Sequence, residues 1–199
     1  MDTPLIYLAS LPNTVPSDEL YPKSRDEEVR ACGGEKTRRE KYFVWKLLEQ
    51  AVNDTFQKSL DEFTFSRSKN GKWKCDGFAF SLAHSDGLLC VALSQEEVGV
   101  DVQRVRPPKT ETVAKKILSP RELIEYAALP KKEKADYFTR KWTERESTFK
   151  RLDLPAFFPA LPLLFQSQTH TEILEINKKR YTVSVSTESK TIPKIRILH

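Results

Sequence analysis

Trp142, Glu146 and Lys150 stand four residues apart in the run KWTERESTFK. Steps of four stack side chains on one face of a helix, so an indole, a carboxylate and an ammonium would share a single face. A face turned wholly to water has no use for a tryptophan. Earlier in the chain, in VGVDVQ, the valines Val98, Val100 and Val102 alternate with Gly99, Asp101 and Gln103. A strand with that alternation buries the valines and holds the Asp101 carboxylate beside the Gln103 amide on its other face. Two oxygen donors on one face could line a metal ion, or could simply meet water on a half-solvated strand. Glu146 and Lys150 leave the same choice open, because a surface i, i+4 ion pair is common and contributes only about 0.3–0.5 kcal/mol.

These two segments need a scaffold. LIYLA reads as a short strand. From about Glu35 to Phe56, Val44, Leu47, Leu48, Ala51 and Val52 follow the i, i+3, i+4 spacing of an amphipathic helix, whose N-terminal end carries Lys36, Arg38, Arg39 and Lys41. FTFSRS, KWKC, FAFSLAH, LLCVALS and VGVDVQRV then read as strands, with Asn70-Gly71 and Asp86-Gly87 as turns, and predict one antiparallel meander. From Thr110 the pattern turns helical. Ser119, Pro120 and Glu122 in SPRE predict a capped helix start, and this helix ends near Pro130. A second helix is predicted from about Lys131 to Leu152, followed by the proline-rich loop DLPAFFPALP and the strands EILEI, RYTVSVS and KIRIL. Strand, helix, strands, then strand, helices, strands: this order predicts an α+β fold of two similar halves forming a pseudo-dimer, residues 1–97 and 98–199.

Composition narrows the class. A chain of 199 residues with 39% hydrophobic residues can bury a real core without a staple. Cys32, Cys75 and Cys90 are odd in number and lack CxxC spacing, and His84, His170 and His199 are the only histidines, so neither a disulfide framework nor a zinc site is indicated. MDTPLIYLAS has no basic leader region, and no stretch reaches the roughly 18 apolar residues of a membrane span, so a soluble cytoplasmic protein is expected. A net charge of +5 and a pI near 9.0 favour an acidic partner, whether nucleic acid, a phosphorylated small molecule or an acidic protein.

In combination, GVD on a strand and WTERESTFK on a helix resemble the two signatures of the 4′-phosphopantetheinyl transferase superfamily, approximately (V/I)G(V/I)D and (F/W)(S/T/C)x(K/R)E(S/A)xxK. Gly99 and Asp101 fall on the first; Trp142, Thr143, Arg145, Glu146, Ser147 and Lys150 fall on the second. In length the chain is similar to the surfactin-synthetase-activating branch, a monomeric pseudo-dimer, rather than to the trimeric holo-acyl-carrier-protein synthases with their much shorter chains. The resemblance covers about Glu35 to Leu154. It implies a Mg²⁺-dependent enzyme in which a serine of an apo acyl or peptidyl carrier protein attacks the β-phosphate of coenzyme A, takes the phosphopantetheine arm and releases 3′,5′-adenosine bisphosphate.

The resemblance also implies roles. Asp101 and Glu146 would be anionic Mg²⁺ ligands and Gln103 a neutral one, oxygen donors of the kind this ion prefers. Glu146, or a water it holds, would take the serine proton, and Lys150 would neutralise charge on the phosphates. Trp142 would pack the helix against the strand. Lys36 and Arg39, with Arg38 as a substitute, map to a basic grip on the 3′-phosphate. Ala83, His84 and Ser85 stand where the family has SHS, which makes His84 and Ser85 phosphate or ribose contacts. Lys72, in NGKW where the family often has GKP, falls on the nucleotide side, and RLDLP replaces the glycines usual after Lys150. Lys115 and Lys116 lie near where the family meets its carrier. Two other readings stay open: a nucleic-acid-binding module using Phe63, Phe65 and Trp73 with nearby basic residues, and a carrier-binding relative without catalysis.

Overall fold

The computed structural model describes residues 3–14, 18–155, 168–188 and 191–198, so the proline-rich loop from Ala156 onward lies outside the described residues. Within them the chain is α+β, in the order β1 (Leu5–Ser10), α1 (Lys23–Arg30), α2 (Glu35–Phe56), β2 (Phe65–Arg67), β3 (Trp73–Cys75), β4 (Ala79–Ser85), β5 (Leu88–Ser94), β6 (Gly99–Arg104), α3 (Glu111–Ile117), α4 (Pro120–Ala128), α5 (Lys131–Leu152), β7 (Gln168–Ile176), β8 (Lys179–Thr187) and β9 (Lys194–Leu198). The strands form a sheet in the order β4-β5-β1-β9, a second in the order β6-β8-β7, and a ribbon of β2 and β3. No helix among the described residues is long and apolar enough to cross a membrane.

Strand alternation sets the layers. On β1, Leu5 and Tyr7 join the core beneath α2, where Val44, Trp45, Leu48 and Val52 are buried, while Ile6 and Leu8 point the other way. That opposite face meets Val98, Val100 and Val102 of β6 and Val183 and Val185 of β8. The two sheets therefore pack face to face, with α2 outside the first and α5 outside the second. Each valine buried between them contributes about 1.5–3 kcal/mol, an upper figure because the unfolded chain already hides some apolar surface. The division expected at Val98 falls in the β5–β6 connection, yet β9, from the C-terminal end, pairs in parallel with β1 in the first sheet.

The single meander anticipated from the sequence is divided. β4 and β5 do form a hairpin at Asp86-Gly87, both at positive φ as the short turn requires. β2 and β3 stand apart as a ribbon, and β6 leaves β5 to pair with β8. β6 still runs beside β4, but serine hydroxyls replace the ladder: Ser81 Oγ accepts from the Val100 amide at 3.0 Å and Ser85 Oγ from the Arg104 amide at 3.1 Å. A seam between the two sheets results, bridged by side-chain hydroxyls instead of a backbone ladder.

Helix α1 escapes a hydrophobic reading because its inner face is charged: Arg25, Asp26 and Val29 are buried. Arg25 lies over the Trp45 ring at 4.8 Å and donates to the Lys41 carbonyl at 2.7 Å. Glu28 collects Arg25 at 3.0 Å, Lys41 at 3.1 Å, the Trp73 indole at 3.3 Å and the Arg67 guanidinium, tying α1, α2 and the ribbon together. Burial alone would raise the Glu28 pKa, but the Arg25 charge, the hydrogen bonds from Lys41 and Arg25, and Arg67 bring it down from 4.5 to about 2.

The folded Glu28 thus stays ionised at a pH where the unfolded one protonates, so its contribution is complete above about pH 4.5 and is lost as pH falls toward 2. Glu28→Gln is expected to cost about 1–2 kcal/mol at pH 7, allowing for screening at a partly exposed site, and to flatten the acid limb of stability. Urea unfolding of parent and variant from pH 7 to 2.5 measures this; parallel acid limbs would contradict it.

Candidate active site

The site is built where α5 rests on β6. A β-carbon placed on Gly99 would lie 1.9 Å from the Ser147 carbonyl oxygen and 2.5 Å from the Arg151 amide nitrogen, so helix backbone lies directly on strand backbone. Two residues along β6, Asp101 emerges on the same face under the turn that carries Glu146 and Lys150. Asp101 is therefore buried, at 4% exposure, because α5 covers the face that the sequence left open to water. The rest of this helix–sheet contact is made of hydroxyls: Thr143 and Ser184 approach to 2.7 Å, Ser184 and Thr171 to 2.9 Å, and Arg151 Nε donates to Ser186 Oγ at 3.1 Å.

Lys150 reaches into the seam. Its Nζ donates to Asp101 Oδ1 at 2.8 Å, to the Val100 carbonyl at 3.1 Å and to the Leu82 carbonyl at 3.4 Å. Asp101 Oδ2 is buried with no hydrogen-bond partner among the described residues. Burial pushes the Asp101 carboxyl up, with the Lys150 charge opposing. Glu146 is pushed up by burial and by the Asp101 charge, again against Lys150. Asp101, with an orphaned oxygen, and Glu146, whose ionisation the Asp101 charge hinders, form an acceptor-only set to which a cation could bind.

The other residues singled out divide into groups. Gln103 stays beside Asp101, its Oε1 accepting from Ser85 Oγ at 3.1 Å; Ser85, buried in the seam, also accepts from Arg104 and so serves the strand junction. His84 lies nearby, its Nδ1 3.5 Å from Glu40 Oε2. Lys36 is exposed on the first turn of α2 and 3.9 Å from Glu40 Oε1. Arg38 is exposed and Arg39 half-buried; they donate to the Cys32 and Asn13 carbonyls respectively. Lys72 turns inward, bonding Glu97 at 2.6 Å and the Arg151 and Val98 carbonyls at 3.3 and 3.4 Å, and burial lowers its pKa. It still borders a cleft of about 250 Å³ that Phe80, Leu82, Phe149 and Lys150 also line.

Trp142, expected to pack the helix against the strand, packs on the satellite cluster of Ala114, Ile117, Leu118 and Phe138, toward α3. Arg145 is buried and paired with Glu122 at 2.5 Å, linking the capping box of α4 to the turn of α5 that carries Glu146. Lys115 and Lys116 are exposed on α3. Glu40, Ser81 and Glu97 were not singled out from the sequence. Only Glu40 carried a signal, the i, i+4 spacing from Lys36 inside a basic run. Phe65 and Trp73 pack with Trp45 and Phe63 with Phe78, so the aromatics needed for base stacking belong to the core.

Gly99→Ala is expected to push α5 off β6 and to cost about 3 kcal/mol, the upper end for overpacking, because the clash is with backbone. Thermal unfolding of that variant checks this; Gly33→Ala, where an added β-carbon meets nothing and φ is not positive, is the comparison with no steric clash. An unchanged Tm in Gly99→Ala would contradict the packing.

A model of the 4′-phosphopantetheinyl transferase superfamily matches residues 97–196. Among curated relatives, the chain is 26% identical to 4′-phosphopantetheinyl transferase Sfp of Bacillus subtilis (strain 168) over 108 residues, which are 53% of this chain and 48% of that protein. It is 36% identical to 4′-phosphopantetheinyl transferase HetI of Nostoc sp. over 76 residues, 37% of this chain and 32% of the relative. The chain thus spans about half the length of Sfp and less of HetI. The matched span holds Gly99, Asp101, Glu146 and Lys150 in the arrangement just described, and the chain belongs to the 4′-phosphopantetheinyl transferase superfamily.

Proposed function

We propose that the protein transfers the 4′-phosphopantetheine arm of coenzyme A to a serine of an apo acyl or peptidyl carrier protein, leaving 3′,5′-adenosine bisphosphate. The observation that carries this reading is the cluster of Asp101, Glu146 and Lys150 on the seam, beside an open cleft, in a chain of this family. Asp101 and Glu146, with Gln103, would hold Mg²⁺; the orphaned Asp101 Oδ2 and the raised Glu146 fit a hard cation that takes its remaining ligands from water and substrate. Among the described residues no group of three or more His, Cys, Asp and Glu side chains that could hold a metal occurs. When bound, Mg²⁺ would offset charge on the pyrophosphate oxygens.

The chain's own residues do the rest. Lys150, 27% exposed, keeps its ammonium fixed by Asp101 and two carbonyls and presents positive charge to phosphate oxygens at the cleft edge. Glu146, without a hydrogen bond among the described residues, accepts the proton of the attacking serine directly or through a water it holds. Lys36, Arg39 and His84 face the nucleotide's 3′-phosphate, and Lys72 and Ser85 support that side. Exposed Lys115 and Lys116 on α3 suit the acidic helices of a carrier. The protein would act in the cytoplasm as a monomer.

Incubation with apo carrier protein, coenzyme A and Mg²⁺ should add the mass of phosphopantetheine to the carrier. Tight carrier binding without mass gain would point to a non-catalytic relative, and salt-sensitive RNA binding alone to a nucleic-acid module. Because Asp101 is buried, shape-conserving changes are the informative ones: Asp101→Asn and Glu146→Gln are each expected to lower turnover by about 10²–10³-fold. Both should also remove the rise in Tm that Mg²⁺ with coenzyme A gives the parent. Near-normal turnover in either variant would remove that residue from the metal set.

A further inference from the structure

Glu40 is a buried carboxylate inside a basic helix end, with only 10% of its side chain exposed. Four residues from Lys36 and adjacent to Arg39, it stands in the segment assigned to grip an anion, where a negative charge opposes the ligand. Burying a carboxylate is costly unless it is partnered. Its partners are Lys36 Nζ at 3.9 Å and His84 Nδ1 at 3.5 Å. The charged groups that act on His84 are Glu40 and Lys36 from α2, Lys150 from α5 and Asp101 from β6. No hydrogen bond to His84 Nε2 occurs among the described residues.

A neutral imidazole carries one N–H. With the proton at Nδ1, toward Glu40, Nε2 has only a lone pair, which repels a phosphate oxygen; only the imidazolium donates from both nitrogens. We propose that Glu40 is a positioning residue for the 3′-phosphate of coenzyme A: it holds His84 by Nδ1, leaves Nε2 for the phosphate, and makes phosphate capture carry a proton from solvent onto the ring. This rests on the assignment of His84 to that phosphate. Burial lowers the ring's pKa in the free protein, with Glu40 raising it and Lys150 lowering it, so the unliganded ring is neutral at slightly alkaline pH. An arriving dianion then supplies the second negative charge that, with Glu40, sandwiches the imidazolium. The carboxylate that would otherwise repel the phosphate becomes the reason the ring can take a proton.

Calorimetric titration with coenzyme A and with its 3′-dephospho form, without Mg²⁺, near pH 7.5 and in buffers of different ionisation enthalpy, counts the protons taken up. At that pH the phosphomonoester, with a second pKa of about 6, is already dianionic, so the protons counted belong to the protein. The parent is expected to take up about one proton with coenzyme A and far less with the dephospho form, and its affinity for coenzyme A alone should fall as pH rises further. Glu40→Gln, of the same shape, should at least halve the uptake while still binding, and His84→Asn should abolish it. Preferential binding of coenzyme A with an unchanged proton count in Glu40→Gln overturns the role of Glu40 alone. Equal affinity of the parent for both ligands removes the His84 phosphate contact itself, and the proposal with it.

Discussion

The approach of α5 to β6 at Gly99 is the constraint on which the candidate site depends. Only a residue without a side chain lets the Ser147 carbonyl and the Arg151 amide lie against the strand. With the helix that close, one turn of α5 suspends Glu146 and Lys150 directly over Asp101. Held away by the width of a methyl group, Lys150 would have to stretch to keep its three acceptors. The hydroxyl layer of Thr143, Ser184, Ser186 and Thr171 serves the same end, since small polar side chains allow a close contact and satisfy one another within it.

The seam between β4 and β6 is the second requirement. Had the strands paired normally, the Leu82 and Val100 carbonyls would have pointed into ladder hydrogen bonds. Because Ser81 and Ser85 meet the β6 amides through side chains, those carbonyls remain available, and Lys150 occupies the gap. Such an ammonium is not a stability device: desolvating a charge pair can cost as much as the attraction returns. Its value is a positive charge of fixed position beside two carboxylates, which suits an anionic substrate and a cation together.

Much of the chain's basic charge is committed to structure. Arg25, Lys41 and Arg67 serve Glu28, Lys72 and Lys74 serve Glu97, and Arg145 serves Glu122. A net charge of +5 therefore says little about where an anion binds. What remains exposed, Lys36 and Arg38 on α2 and Lys115 and Lys116 on α3, is a more selective guide.

By itself the sequence determined the elements with strong local signals. The 3.6-residue pattern placed α2, the SPRE box placed the start of α4, and two glycine turns marked the hairpins, all through contacts a few residues apart. The resemblance of GVD and WTERESTFK to two family signatures likewise singled out Asp101, Glu146 and Lys150, because each motif lies within one strand or a few turns of one helix. Tertiary structure decided what lies between segments. It sent β6 to the second sheet, buried Asp101 beneath a helix, turned Lys72 and Trp142 inward, and brought Glu40 to His84. Alternation along a strand says which residues share a face but not what covers that face, and a charged residue looks alike in sequence whether it meets water or a partner distant in the chain. Helix α1 makes the same point, since its buried side is charged and its partners lie on α2 and the β2–β3 ribbon.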